Sequence, residues 1–270
     1  MINADSAQVY AELRVLSARP SPEEEAQAPH RLFGHIAGTA DYSAARWAEE
    51  AKAEIAAAHA RGSLPVLAGG TGMYIRTLLD GIAPVPEIDP SVRAEVRALP
   101  VAEAHDLLRQ ADRDAAERLN AADTTRVARA LEVVRSTGRT LAAWQAERVG
   151  GIADAIDLAP LILLPDRAWL AERCDRRLCA MFDDGAIEEV ESLLQRSDIA
   201  ANAPVRRAIG VAEIAAFLKG SLSRETALER AQAATRQYAK RQYTWLRHQP
   251  PEHWPRTEST DISKQAVYFA

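Results

Sequence analysis

LPVLAGGTGMY, from Leu64 to Tyr74, decides how this chain is read. Pro65-Val66-Leu67-Ala68 is a short apolar run, Gly69-Gly70 closes it, and Thr71 through Leu79 has the pattern of a helix. A buried strand that turns through glycines into a helix is the repeating unit of open α/β sheets. Ligands of such sheets sit at the carboxyl ends of the strands, against helix N-termini whose free N–H groups favour anions. Thr71 sets a hydroxyl at that corner, and Gly70 and Gly72 would let a substrate approach the backbone. A plain strand–turn–helix junction would look the same, because a Gly-rich turn by itself is a weak signal.

Upstream, Met1 to Ala4 is a short apolar piece followed at once by Asp5-Ser6-Ala7-Gln8. An acid and a hydroxyl just past a strand end are well placed for chemistry, and equally well placed to cap the next turn. The opening residues are not a signal peptide and read as the end of a buried strand, as if the chain began inside a fold. Ser21-Pro22-Glu23-Glu24 is a capping box with proline at the first helical position. His30 and His35 could be ligands or loop hydrogen-bonders, with no third ligand near. Ser43 caps a helix from Ala44 to about His59, and Gly62 stops it. This order of elements implies a parallel sheet with helices on its faces.

Downstream, Pro84-Val85-Pro86-Glu87-Ile88-Asp89-Pro90 reads as a domain boundary. From Ser91 to about Ala155 no convincing strand occurs. Helices are expected at 91–98, 101–111, 114–119, 124–137 and 140–148. Arg126, Arg129 and Arg135 alternate with Val127, Leu131 and Val134, which gives one basic and one apolar face. Pro160 to Leu164 returns as a buried strand that resumes the sheet. Helices are expected at 167–182, 184–196 and 208–218, the last entered through the basic turn Pro204 to Gly210. Ser223 caps a long final helix to about His248. Its second half carries Arg236, Lys240, Arg241 and Arg247 and no acid, which suits either an anion or a helix C-terminus. One more strand is expected near His253-Trp254.

Composition bounds the rest. The 270 residues fit one large domain or two smaller ones, and 47% hydrophobic content supports a substantial core. A formal charge of -5 does not suggest a nucleic-acid binder, so any RNA contact must rest on local patches. The two cysteines, Cys174 and Cys179, lack zinc spacing and fit a reduced cytosolic setting. No apolar stretch reaches the ~20 residues that span a membrane.

Taken together, INADSAQVY, ARPSPEEEAQAPHRL, LPVLAGGTGMYIRTLLDGIAPVP, DTTRVARALEVVRSTGR, RRAIG and TRQYAKRQYTWLR resemble the tRNA dimethylallyltransferases, also called tRNA isopentenyltransferases. The match runs in order from residue 2 to about 254. The resemblance implies an α/β fold: a P-loop-NTPase-like parallel sheet flanked by helices, with an inserted all-helical domain. Residues 1–86 and 156–270 would be the catalytic core, and 87–155 a helical tRNA-binding insertion. It implies transfer of a dimethylallyl group from dimethylallyl diphosphate to N6 of the adenosine 3′ to the anticodon, in tRNAs reading codons that begin with U. It also implies Mg2+ dependence, no metal ligands from the protein, binding of the tRNA anticodon stem-loop, and action as a cytoplasmic monomer.

Carried over by motif, Asp5 matches the acid that takes the proton from the adenine amine, and Thr71 the hydroxyl near the bridging oxygen of the diphosphate. Ser6, Ala7 and Gln8 match positions that hold the target nucleotide, and Gly69 and Gly70 belong to the same substrate corner. Arg93, Thr125, Arg126, Val127, Ala128 and Arg129 match tRNA contacts in the insertion. Arg207, Ala208, Ile209 and Gly210 match a substrate-contacting turn, and Arg236 and Lys240 phosphate contacts.

The sequence departs from the family at its start. The family opens with a strand and a GxTxSGKS phosphate loop, and neither occurs in these 270 residues, so the chain reads as a fragment without its first strand and phosphate loop. Leu16 to Pro20 stand where the family often has GTAKP, and Val211-Ala212 where it often has tyrosine and arginine. Two other readings remain: a catalytically inactive tRNA-binding fragment, and a transferase acting on free adenine nucleotides.

Overall fold

The computed structural model describes residues 1–261. In chain order the elements are β1 (Ile2–Asn3), α1 (Pro22–Gln27), α2 (Ala44–Ala60), β2 (Leu67–Ala68), α3 (Gly72–Asp80), α4 (Pro90–Ala98), α5 (Val101–Ala111), α6 (Arg113–Arg118), α7 (Thr124–Thr137), α8 (Leu141–Gln145), β3 (Ile162–Leu163), α9 (Arg167–Asp183), α10 (Ala186–Gln195), α11 (Val211–Leu218), α12 (Arg224–His248) and β4 (Arg256–Thr257). The chain divides into two compact units, Leu79–Ala155 and the remainder.

In the first unit β1 and β2 are parallel, with Ile2 opposite Leu67 and Asn3 opposite Ala68. Arg31 joins the other side of β1, its carbonyl accepting from Asn3 N at 3.0 Å. Trp47 on α2 is wholly buried, stacks on Tyr74 of α3 at 4.5 Å, and donates its indole N–H to Asn3 O at 2.8 Å. One aromatic side chain thus ties α2 to both the strand and the helix that carry the glycine corner.

The segment expected to be a buried strand is exposed instead. Leu64 is 80% exposed, and Val66 and Leu67 face solvent as well. Among the described residues β2 pairs with β1 alone, so its far side has no neighbour. The strand expected at Pro160 to Leu164 forms as β3 but does not resume that sheet. It pairs in parallel with β4, Ile162 opposite Arg256. The strand expected at His253-Trp254 lies at Arg256–Thr257, because Trp254 is still in a turn, its N–H donating to Pro251 O at 3.1 Å.

Most helices begin and end where local chemistry directs. Ser21 and Glu24 make the capping box reciprocally, and Ser43, Asp123 and Ser223 each accept from a first-turn N–H. Gly138, at φ +67°, ends α7 in the left-handed conformation. The helix expected at 208–218 starts late, at Val211. A short 3-10 turn, Pro204–Arg207, and Gly210 at φ +97° hold the chain out of it first.

The second unit is built from helices around Val96, Leu108, Val127 and Leu131. The sequence placed its start at residue 87, whereas the chain divides after Leu78. Ile82 and Val149 exchange both backbone hydrogen bonds, each 3.0 Å, and Arg148 pairs with Asp80 at 2.9 Å, so the residues before the prolines are stapled to this unit's own end.

Candidate active site

The first unit holds a cavity of about 1110 Å³, and Asp5, Ser6, Ala7 and Thr71 all line it. Their placement starts at Asn3. This side chain is fully buried, donates to Asp5 O (2.9 Å) and Leu32 O (3.0 Å), and accepts from Asp5 N (2.8 Å). The chain therefore makes an Asx turn as it leaves β1. Asp5 Oδ1 then accepts from Ala7 N at 2.8 Å, which fixes the carboxylate. Sequence reading missed Asn3, although asparagine is a residue that commonly makes such a turn by bonding the backbone two residues on.

Thr71 reaches the same place from β2. Its N–H donates to Ala4 O at 3.1 Å, and its carbonyl accepts from Tyr74 N at 2.9 Å to open α3. Its hydroxyl oxygen accepts from Ser6 N at 2.9 Å and lies 3.3 Å from Ser6 Oγ. The acid and the alcohol are thus held one residue apart through Ser6.

Burial raises the Asp5 pKa, opposed by the N–H groups of Ala7 and Gln8 and by the Arg177 guanidinium. A raised carboxylate is the stronger base. Arg173 and Arg177 from α9, four residues apart on one helix face, line the cavity with Arg207. Three guanidiniums suit a polyanionic ligand better than a neutral one. The i, i+4 spacing of Arg173 and Arg177 is the signal in the sequence that marks this pair. Tyr10, Tyr42, Tyr74 and Tyr238 add aromatic wall.

Other sequence candidates are employed differently. Gln8 does not line the cavity. Its carboxamide donates to Ser17 O (3.0 Å) and Ala18 O (2.9 Å), where Ala18 sits at φ +57°, so it holds the adjoining loop. The glycines make room for neighbouring protein atoms. A Cβ on Gly69 would lie 2.3 Å from the Ala4 carbonyl carbon, one on Gly70 2.5 Å from Gln242 Nε2, and one on Gly72 2.4 Å from the Trp245 ring. Ala208 and Ile209 line the cavity, while Gly210 turns the chain into α11. Arg236 pairs with Asp175 at 2.6 Å, and Lys240 is exposed on α12.

Arg93, Thr125, Arg126, Val127, Ala128 and Arg129 belong to the second unit. Thr125 and Arg126 are exposed at the start of α7, and Arg93 is exposed on α4. Val127 is wholly buried and Ala128 packs on the same core, so their side chains hold the helix instead of meeting a ligand. Arg129 is half-buried, and burial lowers its pKa against the favourable pull of Glu132, with Arg93 and Arg97 close enough to repel it. Glu132 is itself 1% exposed and accepts from Arg97 Nε at 2.8 Å.

His30 and His35 are both hydrogen-bonded within the first unit. His30 Nδ1 bonds Ala28 O at 2.8 Å, and His35 Nε2 donates to Glu50 Oε2 at 2.8 Å. Among the described residues no group of three His, Cys, Asp or Glu side chains is placed to hold a metal. The cavity presents a single carboxylate, already bonded to Ala7 N, among three guanidiniums. That donor set does not fit a Mg2+ ion held by protein alone, which calls for oxygen ligands and commonly one or two free carboxylates. Both cysteines are free. No helix among the described residues is long and apolar enough to cross a membrane.

The family profile described as IPP transferase matches residues 8–249. The chain is 66% identical over 256 residues to the tRNA dimethylallyltransferase of Sphingopyxis alaskensis, covering 95% of this chain and 83% of that protein. Its structure is similar to the tRNA isopentenylpyrophosphate transferase of Bacillus halodurans, with TM-score 0.68 and 28% identity over 99% of this chain and 85% of the other. It is also similar to a eukaryotic dimethylallyltransferase acting on tRNA, with TM-score 0.77 and 27% identity over 91% of this chain and 62% of the other. Those neighbours share the P-loop-like α/β architecture. The chain belongs to the IPP transferase family, that of the tRNA dimethylallyltransferases.

Proposed function

We propose that this protein modifies tRNA by moving a dimethylallyl group from dimethylallyl diphosphate to N6 of the adenosine 3′ to the anticodon, in tRNAs that read codons beginning with U. The observation that carries this reading is the Asp5–Ser6–Thr71 linkage within a cavity faced by Arg173, Arg177 and Arg207. The C1–O bond of the donor breaks, and its electron pair goes to the bridging oxygen of the diphosphate. The N6–C1 bond forms, and the N6 proton passes to the Asp5 carboxylate. Thr71 donates a hydrogen bond to the departing oxygen, and the guanidiniums balance the charge released with it. The adenine must leave the base stack to reach a carboxylate enclosed in this way.

Exposed Arg126, with Arg93 and Arg129, would bind the tRNA backbone from the helical unit, and Lys240 would add a phosphate contact from α12. The protein would act as a cytoplasmic monomer. Incubation of the chain with unmodified tRNA and labelled dimethylallyl diphosphate tests the reading. Label should appear on tRNAs reading codons that begin with U and not on free adenosine monophosphate. Label on the free nucleotide instead would favour a small-molecule transferase, and salt-dependent tRNA binding without label would favour an inactive RNA-binding chain.

A further inference from the structure

The helical unit carries a carboxylate that its packing does not call for. Glu132 on α7 is buried, flanked in sequence by the buried Leu131 and Val133. Its Oε1 accepts from Arg97 Nε of α4 at 2.8 Å. Its Oε2 is buried too and accepts no hydrogen bond among the described residues. A buried carboxylate bonded this sparingly costs stability, and an apolar side chain of that size would pack as well. Its partner is not buried with it. The Arg97 side chain is 64% exposed, and beyond Nε it makes no hydrogen bond among the described residues. The other N–H groups of that guanidinium are left for a different acceptor. Arg93 lies one turn before Arg97 on α4 and is exposed. Arg129 lies one turn before Glu132 on α7, close enough to feel Glu132, Arg93 and Arg97. A second ion pair between these helices, Arg135 with Glu95 at 2.7 Å, fixes how they meet.

Resting on the tRNA reading above, we infer that Glu132 is a positioning residue: it grips Arg97 by the Nε edge and so presents that guanidinium, beside Arg93 and Arg129, to a phosphate of the RNA backbone. The ligand is recognised by a planar fork of N–H donors set against phosphate oxygens. Holding the fork in advance removes the rotamer freedom that a loose surface arginine gives up on binding. A plain surface ion pair would not explain why the acid is buried and the base is not.

Filter binding of the whole chain to unmodified tRNA across a salt series tests this. Arg97→Ala should weaken binding roughly five- to tenfold at about 0.1 M salt and lower the slope of log affinity against log salt by about one. Glu132→Leu is the sharper variant. It removes a negative charge beside the RNA, so charge counting alone predicts tighter binding. We expect binding weaker by roughly threefold, the scale of one side chain left to be ordered, with the melting temperature level or higher. The double variant should bind no more weakly than Arg97→Ala, because Glu132 acts through Arg97. Glu132→Gln keeps the shape and one acceptor, so it should lose less than Glu132→Leu, and it decides the matter if the leucine variant melts early. Binding as tight as the original, or tighter, in a folded Glu132 variant would overturn the inference, as would losses that multiply in the double variant. The readout is binding, so it separates from the transfer reading. A chain with this pattern that moved no label would lose the transfer reading and keep this one, and a chain that bound no tRNA would lose this one.

Discussion

The backbone N–H of Ser6 donates to the hydroxyl of Thr71 at 2.9 Å, joining the exit of β1 to the first turn of α3. Asp5 precedes Ser6, so an acid and an alcohol far apart in the sequence share one wall. Thr71→Ala should therefore lower kcat by about 10²–10³-fold, the usual scale for one donor aimed at developing charge. Thr71→Ser should recover most of that loss. Steady-state label transfer to tRNA measures both.

Asn3 should matter to stability more than its size suggests. It makes three hydrogen bonds while fully buried, and Asn3→Ala strands Asp5 N and Leu32 O. The expected loss is roughly 2–4 kcal/mol, from the cost of buried groups left unpaired. Urea unfolding checks it.

Asp5 links activity and stability to pH in opposite senses. Its folded pKa is raised above the ordinary value of 3.8. The folded state therefore holds a proton that the unfolded state has released, and this group's contribution to stability falls as pH rises from 3.8 through the raised value. Asp5→Asn should melt higher than the original chain at neutral pH, with the difference vanishing as pH drops below 3.8. Over the same window kcat/KM of the unaltered chain should rise with pH as the base ionises. Calorimetric melts and a pH–rate series read the two trends.

Gly72 should tolerate no side chain while α12 keeps its place. A Cβ there would sit 2.4 Å from the Trp245 ring, and the Trp245 backbone is held within a regular helix. Gly72→Ala should cost about 1–3 kcal/mol through overpacking. Thermal melts of Gly72→Ala against Gly62→Ala separate crowding from backbone preference, since Gly62 has open space around it.

Arg126 tests the RNA reading of the helical unit. Its side chain is 75% exposed, and its Nε is 3.6 Å from Asp123 Oδ2. Arg126→Ala should leave the melting temperature unchanged, weaken tRNA binding, and reduce the slope of log affinity against log salt by about one. Filter binding across a salt series measures it.

Local features were legible in the sequence and distant ones were not. The capping box at Ser21, the caps at Ser43, Asp123 and Ser223, and the stop at Gly138 depend on neighbours within a turn or two, and each formed where its residues implied. The meeting of Asp5 and Thr71 came from resemblance, because nothing in residues 5 to 71 states that Ser6 bonds Thr71. What fills the space over Gly70 and Gly72 was illegible for the same reason. Gln242 and Trp245, which sit there, lie far along the chain. The bonds of Gln8 to the loop at Ser17 and Ala18 were illegible too, because they depend on how that loop folds back. The β3–β4 pair was missed because two-residue strands carry too little alternation to show their partner.

The central claim is that Asp5 takes the proton from the attacking amine while Thr71 supports the leaving group across one cavity. A single-turnover measurement on Asp5→Asn, with tRNA at saturation and labelled dimethylallyl diphosphate, tests it most directly. The account predicts a rate constant lower by about 10²–10⁴-fold at unaltered tRNA affinity. An Asn variant that transfers label at the original rate would contradict it.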